Sequence, residues 1–302
     1  MKILSLMIML VLSFNQLATA GLEKTSPTNP TELILKEVKK KFTVYNGTLT
    51  APDPLTHEIV KIPFGYYRTS VGKEETAPLV IVYPSLSDEI PLVEKFIAKM
   101  LAKRGYNVMI ANLSEDISDV SRPITKIDDF FLRSTANTTQ LLDEILKRPE
   151  INPNRVFAIG VSLGGIRAAL SLTHEPRITA GALYVAGGDL PRIFAKSTVG
   201  LIRNYRYHWM KKLGLGNVVD FEQHLRSTLR IDPLNLVGRR RTSEVMMVMG
   251  LKDRKVPYSN QLRLWEAFGR PKHITLPLQH RLAGASFLLN IGRIESFFRT
   301  FN

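Results

Sequence analysis

The chain predicts an α/β fold: a mainly parallel sheet covered by helices on both faces, with one helical insertion. Three observations carry that prediction. From residue 79 onwards, short β-rich apolar runs alternate with longer stretches of helical periodicity. Several of those runs are apolar throughout, as in Leu79-Val-Ile-Val-Tyr83, the pattern of a strand buried on both faces of a sheet. The 302 residues are 44% apolar, enough for a large core and too many for a disordered chain.

Taken in order, the first twenty residues read as a targeting segment. Lys2 is the only charge, Ile3 to Phe14 is mostly apolar, and Ala18-Thr19-Ala20 has the small residues of a cleavage site. The run is shorter than the ~20 residues a spanning helix needs. The expectation is export, with cleavage after Ala20 and a periplasmic or secreted mature protein.

Residues 21–41 are expected to be a lead-in, polar at first and then basic, with Thr31 to Lys41 read as a short helix. The main domain, 42–302, is expected to open on a hairpin: Phe42 to Tyr45, turn residues Asn46-Gly47, then Thr48 to Thr50. Glu58 to Arg68 continues the extended chain. Leu79 to Tyr83, Val108 to Leu113, Arg155 to Ile159, Ile178 to Ala186, Glu244 to Leu251 and Ile274 to Leu278 are the core strands. The helices between them are Glu89 to Arg104 (with Leu92, Phe96, Met100 and Leu101 inward), Ile124 to Lys147 and Leu163 to His174, and a final one starts near Ala283. Between the strands ending near Ala186 and starting near Glu244 the chain is too long for a simple crossover. Ile202, Tyr205, Trp209 and Leu213 recur there at helical spacing, so about 189–241 is read as an inserted cap.

The absence of cysteine removes disulfide scaffolds, Cys-ligated zinc, iron–sulfur clusters and thiol nucleophiles. No HExxH, EF-hand loop or Walker A pattern occurs, so no metal or cofactor is expected. The motif that does occur is Gly160-Val161-Ser162-Leu163-Gly164, between a β-rich run and a helical one. A turn this tight crowds the positions two before and two after the serine, which explains a glycine at each. It pushes Ser162 out at the carboxyl end of a strand, where open α/β sheets place their sites. The Leu163 N–H, opening a helix, is placed to hold an oxyanion.

A serine hydroxyl needs a base. Of the six histidines, His57, His174, His208, His224 and His273 lie away from the carboxyl edge or in the cap, whereas His280 follows the last strand. His280 is therefore the expected base. Its orienting carboxylate is expected to be Asp253, just past a strand in Gly250-Leu-Lys-Asp-Arg-Lys-Val-Pro257, with Lys252, Arg254 and Lys255 favouring the ionised form. Asp189 and Asp232 are the rivals, each read as a cap of a turn or helix.

Ser162, Asp253 and His280 occur in the order nucleophile, acid, histidine, each after a successive core strand. In this the chain, over roughly residues 40–302, resembles the α/β-hydrolase superfamily, and G-x-S-x-G with Gly-x-x-Asp-x-x-Val-Pro resembles its esterase, lipase and peptidase members. The resemblance implies acyl-enzyme chemistry. It departs from the family in two places: Tyr83-Pro84-Ser85-Leu86 stands where His-Gly is frequent, and Gln279 where glycine often precedes the histidine. Pro84 has no N–H, so the second oxyanion donor is expected from the backbone of Ser85 or Leu86.

Net charge is +14, and residues 189–241 hold eleven Lys/Arg against four acids. A basic cap suits acidic substrates or an anionic membrane surface. No nucleic-acid-binding fold is visible. The expected function is an exported serine esterase acting on a small-molecule or lipid-like ester. The same triad would serve a peptidase, a thioesterase or an acyltransferase, and the scaffold could also be a non-catalytic binding protein.

Overall fold

The computed structural model describes residues 31–72, 75–85, 92–112 and 117–301; the targeting segment and Leu86 lie outside them. Nine strands form one sheet: β1 Thr31–Lys39, β2 Phe42–Pro52, β3 Ile59–Thr69, β4 Ala77–Tyr83, β5 Asn107–Ala111, β6 Ile151–Val161, β7 Ala180–Tyr184, β8 Val245–Gly250 and β9 Lys272–Leu276. Their order is β1-β2-β3-β5-β4-β6-β7-β8-β9. The β1/β2, β2/β3 and β3/β5 pairs are antiparallel, and every pair from β5 to β9 is parallel. The strand order reverses at β4 and β6, so the carboxyl ends of these two strands flank the crevice where such sheets bind ligands.

The helices are α1 Leu92–Ala102, α2 Lys126–Ile145, α3 Leu163–His174, α4 Leu190–Lys196, α5 Gly200–Lys212, α6 Val218–Thr228, α7 Tyr258–Ala267, α8 His280–Ala285 and α9 Phe287–Phe298. Two cores result. Leu79, Ile81 and Tyr83 of β4 face one way, into a core shared with α2, α3 and α7; Val80 and Val82 face the other way, into a core shared with α1 and α9. This period of two, apolar on both faces, is why the core strands read as unbroken apolar runs. Phe157 of β6 stacks on Phe298 of α9 at 4.3 Å, fixing the last helix across the sheet.

Four sequence expectations change. Thr31–Lys39 is the edge strand β1, not a helical lead-in; it reaches β2 through the two-residue turn Lys40-Lys41. The expected hairpin at Asn46-Gly47 does not form, because β2 runs straight through to Pro52. Gly47 is needed there for space, since a Cβ would overlap the Phe64 ring on β3. Helix α1 turns Glu94, Ile97, Ala98 and Leu101 inward, and Phe96 stays half exposed. Lastly, His280 opens helix α8 instead of lying in a loop, and the final helical segment is split into α8 and α9.

Between β7 and β8 the insertion is helical, as expected: α4, α5 and α6, then short 3-10 turns at Pro233–Asn235 and Val237–Arg239. Ile202, Tyr205 and Trp209 are its buried stripe, and Phe194, Tyr205 and Trp209 form a chain of ring contacts at 6.0 and 6.2 Å. Leu213 is partly exposed. Arg206, buried, donates to the carbonyls of Phe194, Ala195 and Ser197 and so caps the end of α4. One of the cap's basic residues is therefore structural. Among the described residues no helix is long and apolar enough to cross a membrane.

Candidate active site

The loop from β6 to α3 carries Ser162 at φ 59°, ψ −123°, a conformation that L-residues other than glycine rarely adopt. The glycines around it make the turn possible. A Cβ on Gly160 would overlap the Gly164 carbonyl, and one on Gly164 would overlap the Tyr83 carbonyl at the end of β4. A Cβ on Gly165 would come within 2.7 Å of the Ala186 Cβ. The Ser162 N–H is tied to the Tyr184 carbonyl of β7 at 2.9 Å. The turn is thus locked on both sides by neighbouring strands, and Leu163 opens α3, whose first-turn N–H groups have no intrahelical acceptor.

His280 Nδ1 lies 2.7 Å from Asp253 Oδ2. Asp253 follows β8, and its side chain is wholly buried. Its Oδ1 accepts from the N–H groups of Lys255 (2.8 Å) and Val256 (3.1 Å), and its Oδ2 also accepts from Gln261 Nε2 (2.9 Å). Of the neighbouring basic residues, Lys255 reaches it through its backbone N–H.

Gln261, on α7 and fully buried, is a site residue that the sequence reading missed. Besides Asp253, its Nε2 donates to the Val256 carbonyl at 2.8 Å, and its Oε1 accepts the Gly250 N–H at 3.1 Å. One amide therefore pins both ends of the Asp253 loop. The only sequence signal would have been a polar residue on the inward face of α7, beside Leu264.

The rivals are occupied elsewhere. Asp189 is ion-paired with Arg226 and Arg263, and Asp232 accepts the N–H groups of Asp189, Leu190 and Leu234. Burial pushes the Asp232 carboxyl above its ordinary range. His273 packs edge-on against Trp265 at 4.8 Å.

Ser162 and His280 border one cavity of about 880 Å³. Its walls are mostly apolar: Phe131, Ile166 and Val161 from the core, and Leu190, Ile193, Phe194 and Ile202 from the cap. Phe194 does line the cavity, while Tyr205 and Trp209 pack the cap and Tyr207 faces outward. Lys255 and Arg281 border the same space.

Ser85 reaches this cavity too, but not as an oxyanion donor. Its N–H points to Glu94 Oε1 at 2.9 Å and its hydroxyl to the same oxygen at 2.7 Å. The one N–H of Ser85 is thus donated to Glu94. This explains why Glu94, in the first turn of α1, is drawn into the protein. Leu86, the other expected donor, lies outside the described residues. No cluster of His, Asp or Glu that could hold a metal ion occurs among the described residues.

The prolyl oligopeptidase family model matches residues 134–275, a stretch that contains Ser162 and Asp253 but not His280. No curated protein is significantly similar in sequence. Solved structures share the fold. An acetyl xylan esterase from Paenibacillus sp. R4 superposes with a TM-score of 0.66 at 13% identity, covering 95% of this chain and 99% of that one. Acetyl xylan esterase 1 from Thermoanaerobacterium sp. JW/SL YS485 gives 0.60 at 19% identity, covering 88% of each chain. Pyrococcus horikoshii acylaminoacyl peptidase gives 0.59 at 15% identity, covering 82% of this chain and 38% of that one. The chain has the α/β-hydrolase fold of these structures, and the family match covers just under half of its length.

Proposed function

We propose that this protein cleaves carboxylic esters through an acyl-enzyme, with Ser162 as nucleophile, His280 as base and Asp253 as the group that orients His280. The observation that carries the reading is His280, hydrogen-bonded to Asp253, bordering the same cavity as a serine on a strained turn. His280 Nε2 takes the proton from Ser162 Oγ as Oγ bonds to the carbonyl carbon. The carbonyl electron pair moves onto oxygen, where the Leu163 N–H is placed to hold it. When the pair returns, the carbon–oxygen bond to the alcohol breaks and His280 gives its proton to the leaving oxygen. Water then repeats the sequence: His280 takes its proton, the hydroxide oxygen bonds to the acyl carbon, and Ser162 recovers its proton as the acid leaves. Asp253 keeps its hydrogen bond to His280 throughout, held in place by its N–H and amide donors.

The test is labelling of the protein with a fluorophosphonate probe, beside Ser162→Ala and His280→Ala. Labelling of the wild type that is lost in both variants supports the reading; no labelling of the folded wild type overturns it. A peptidase reading is favoured by one observation, the prolyl oligopeptidase family match. It predicts cleavage of aminoacyl amides at rates comparable with esters. Export belongs to the same proposal, and N-terminal sequencing of protein recovered from outside the cytoplasm should begin at Gly21.

A further inference from the structure

Ser85 borders two cavities. One is the Ser162 cavity. The other, about 480 Å³, lies on the opposite side of β4, over β3 and β5, and is walled by β1, β2 and α1. Its chemistry differs. Lys36, Lys95 and Lys99 border it, together with Asn46 and Asn112. Glu37 is the one carboxylate among its described lining residues, and it is bonded to Lys39 at 2.7 Å. Among the described residues, none of the three lysines is in an ion pair.

The backbone is shaped to bring this about. Consecutive strand residues point to opposite faces. The register of β1 on β2 slips between Leu35 and Glu37, leaving Lys36 as the extra residue of a bulge, and Lys36 and Glu37 both border the cavity. Lysine on an edge strand also guards against sheet-to-sheet pairing. That does not account for Lys95 and Lys99, which lie on α1 one turn apart, a like-charge spacing that opposes the helix unless an anion relieves it.

We propose that the two cavities take the two portions of one substrate, an apolar acyl chain beneath the cap and a phosphate or carboxylate on the alcohol portion at Lys36, Lys95 and Lys99. The proposal rests on the ester-hydrolase reading. It requires the alcohol portion to pass Ser85 from the ester bond at Ser162, and the bond changes are those already given.

The test compares hydrolysis of monodecanoyl glycerol phosphate and monodecanoyl glycerol by the wild type and by a Lys36→Gln, Lys95→Gln, Lys99→Gln variant. Wild type should favour the phosphate ester by about tenfold in kcat/KM at low salt, the preference shrinking as salt screens it. The variant should lose that preference and keep its rate on the neutral ester. Binding is read separately, by calorimetry of decyl phosphate with Ser162→Ala protein carrying or lacking the three lysine changes. Equal affinities there, or a wild type indifferent to the phosphate, overturn the subsite. A tenfold loss of decyl phosphate affinity in a protein that hydrolyses neither ester would keep the subsite and discard the hydrolase reading.

Discussion

Gln261 fixes the acid of the candidate triad without touching substrate. It gives one N–H to Asp253 Oδ2, the same oxygen that meets His280, and so competes for its charge. Gln261→Met is expected to lower kcat/KM about tenfold, the scale seen when an outer partner of a working group is removed. A Gln261→Met rate equal to that of wild type would make Gln261 a packing residue. The Asp253–His280 pair and the strained turn at Ser162 were legible in the sequence because each residue follows a core strand in the expected order, and the elbow glycines announce the turn. Gln261 and Glu94 were not. Each is a polar side chain buried by a partner distant in sequence or on another element, and no local spacing encodes that approach.

At the scale of elements, β1 and β2 show where local reading fails. Thr31 to Lys39 is rich in Glu and Lys, so its propensity points to a helix; pairing with β2 overrides it. Asn46-Gly47 looks like a turn, yet Gly47 serves to admit the Phe64 ring. Gly47→Ala should therefore destabilise the fold by about 1–3 kcal/mol, as overpacked sites do, and Phe64→Leu should recover part of it in a double-mutant cycle on urea midpoints. Additive losses would mean that the cost does not lie in the contact with Phe64. The core strands β4 to β8 and α3, by contrast, could be placed from sequence because each is buried on both faces or opens at a glycine-marked turn.

For the whole molecule, two ties join parts distant in the chain. Asp189, buried at the entry to the cap, pairs with Arg226 of the cap and Arg263 of α7. Asp189→Ala should speed hydrogen exchange through residues 190–228 while leaving β4 to β8 protected. The second tie is Asp53, after β2, which bonds Arg133 of α2 at 2.7 Å. Burial pushes its carboxyl up, but the Arg133 guanidinium and the N–H groups of Thr56 and Leu55 outweigh this and hold it below the ordinary carboxylate range. A lowered folded value means the tie stabilises fully above about pH 4 and is lost as pH falls through that lower value. Asp53→Asn should thus be less stable at neutral pH and lose less on acidification, as read from urea midpoints at successive pH values. The alternation of strand and helix made the parallel half of the sheet and the cap visible from sequence. The antiparallel end was not, because one-sided strands at an edge carry weaker periodicity.

The backbone at Ser162 has a hereditary consequence. A residue held at positive φ against its own Cβ costs about 1 kcal/mol or more, and glycine would relieve it. Ser162→Gly should unfold at a higher temperature than wild type, whereas Ser162→Ala, which keeps the Cβ, should not. Drift toward a sturdier chain therefore leads away from the hydroxyl, and in a lineage released from selection for turnover, this codon is one of the first whose loss would go unpunished by the fold.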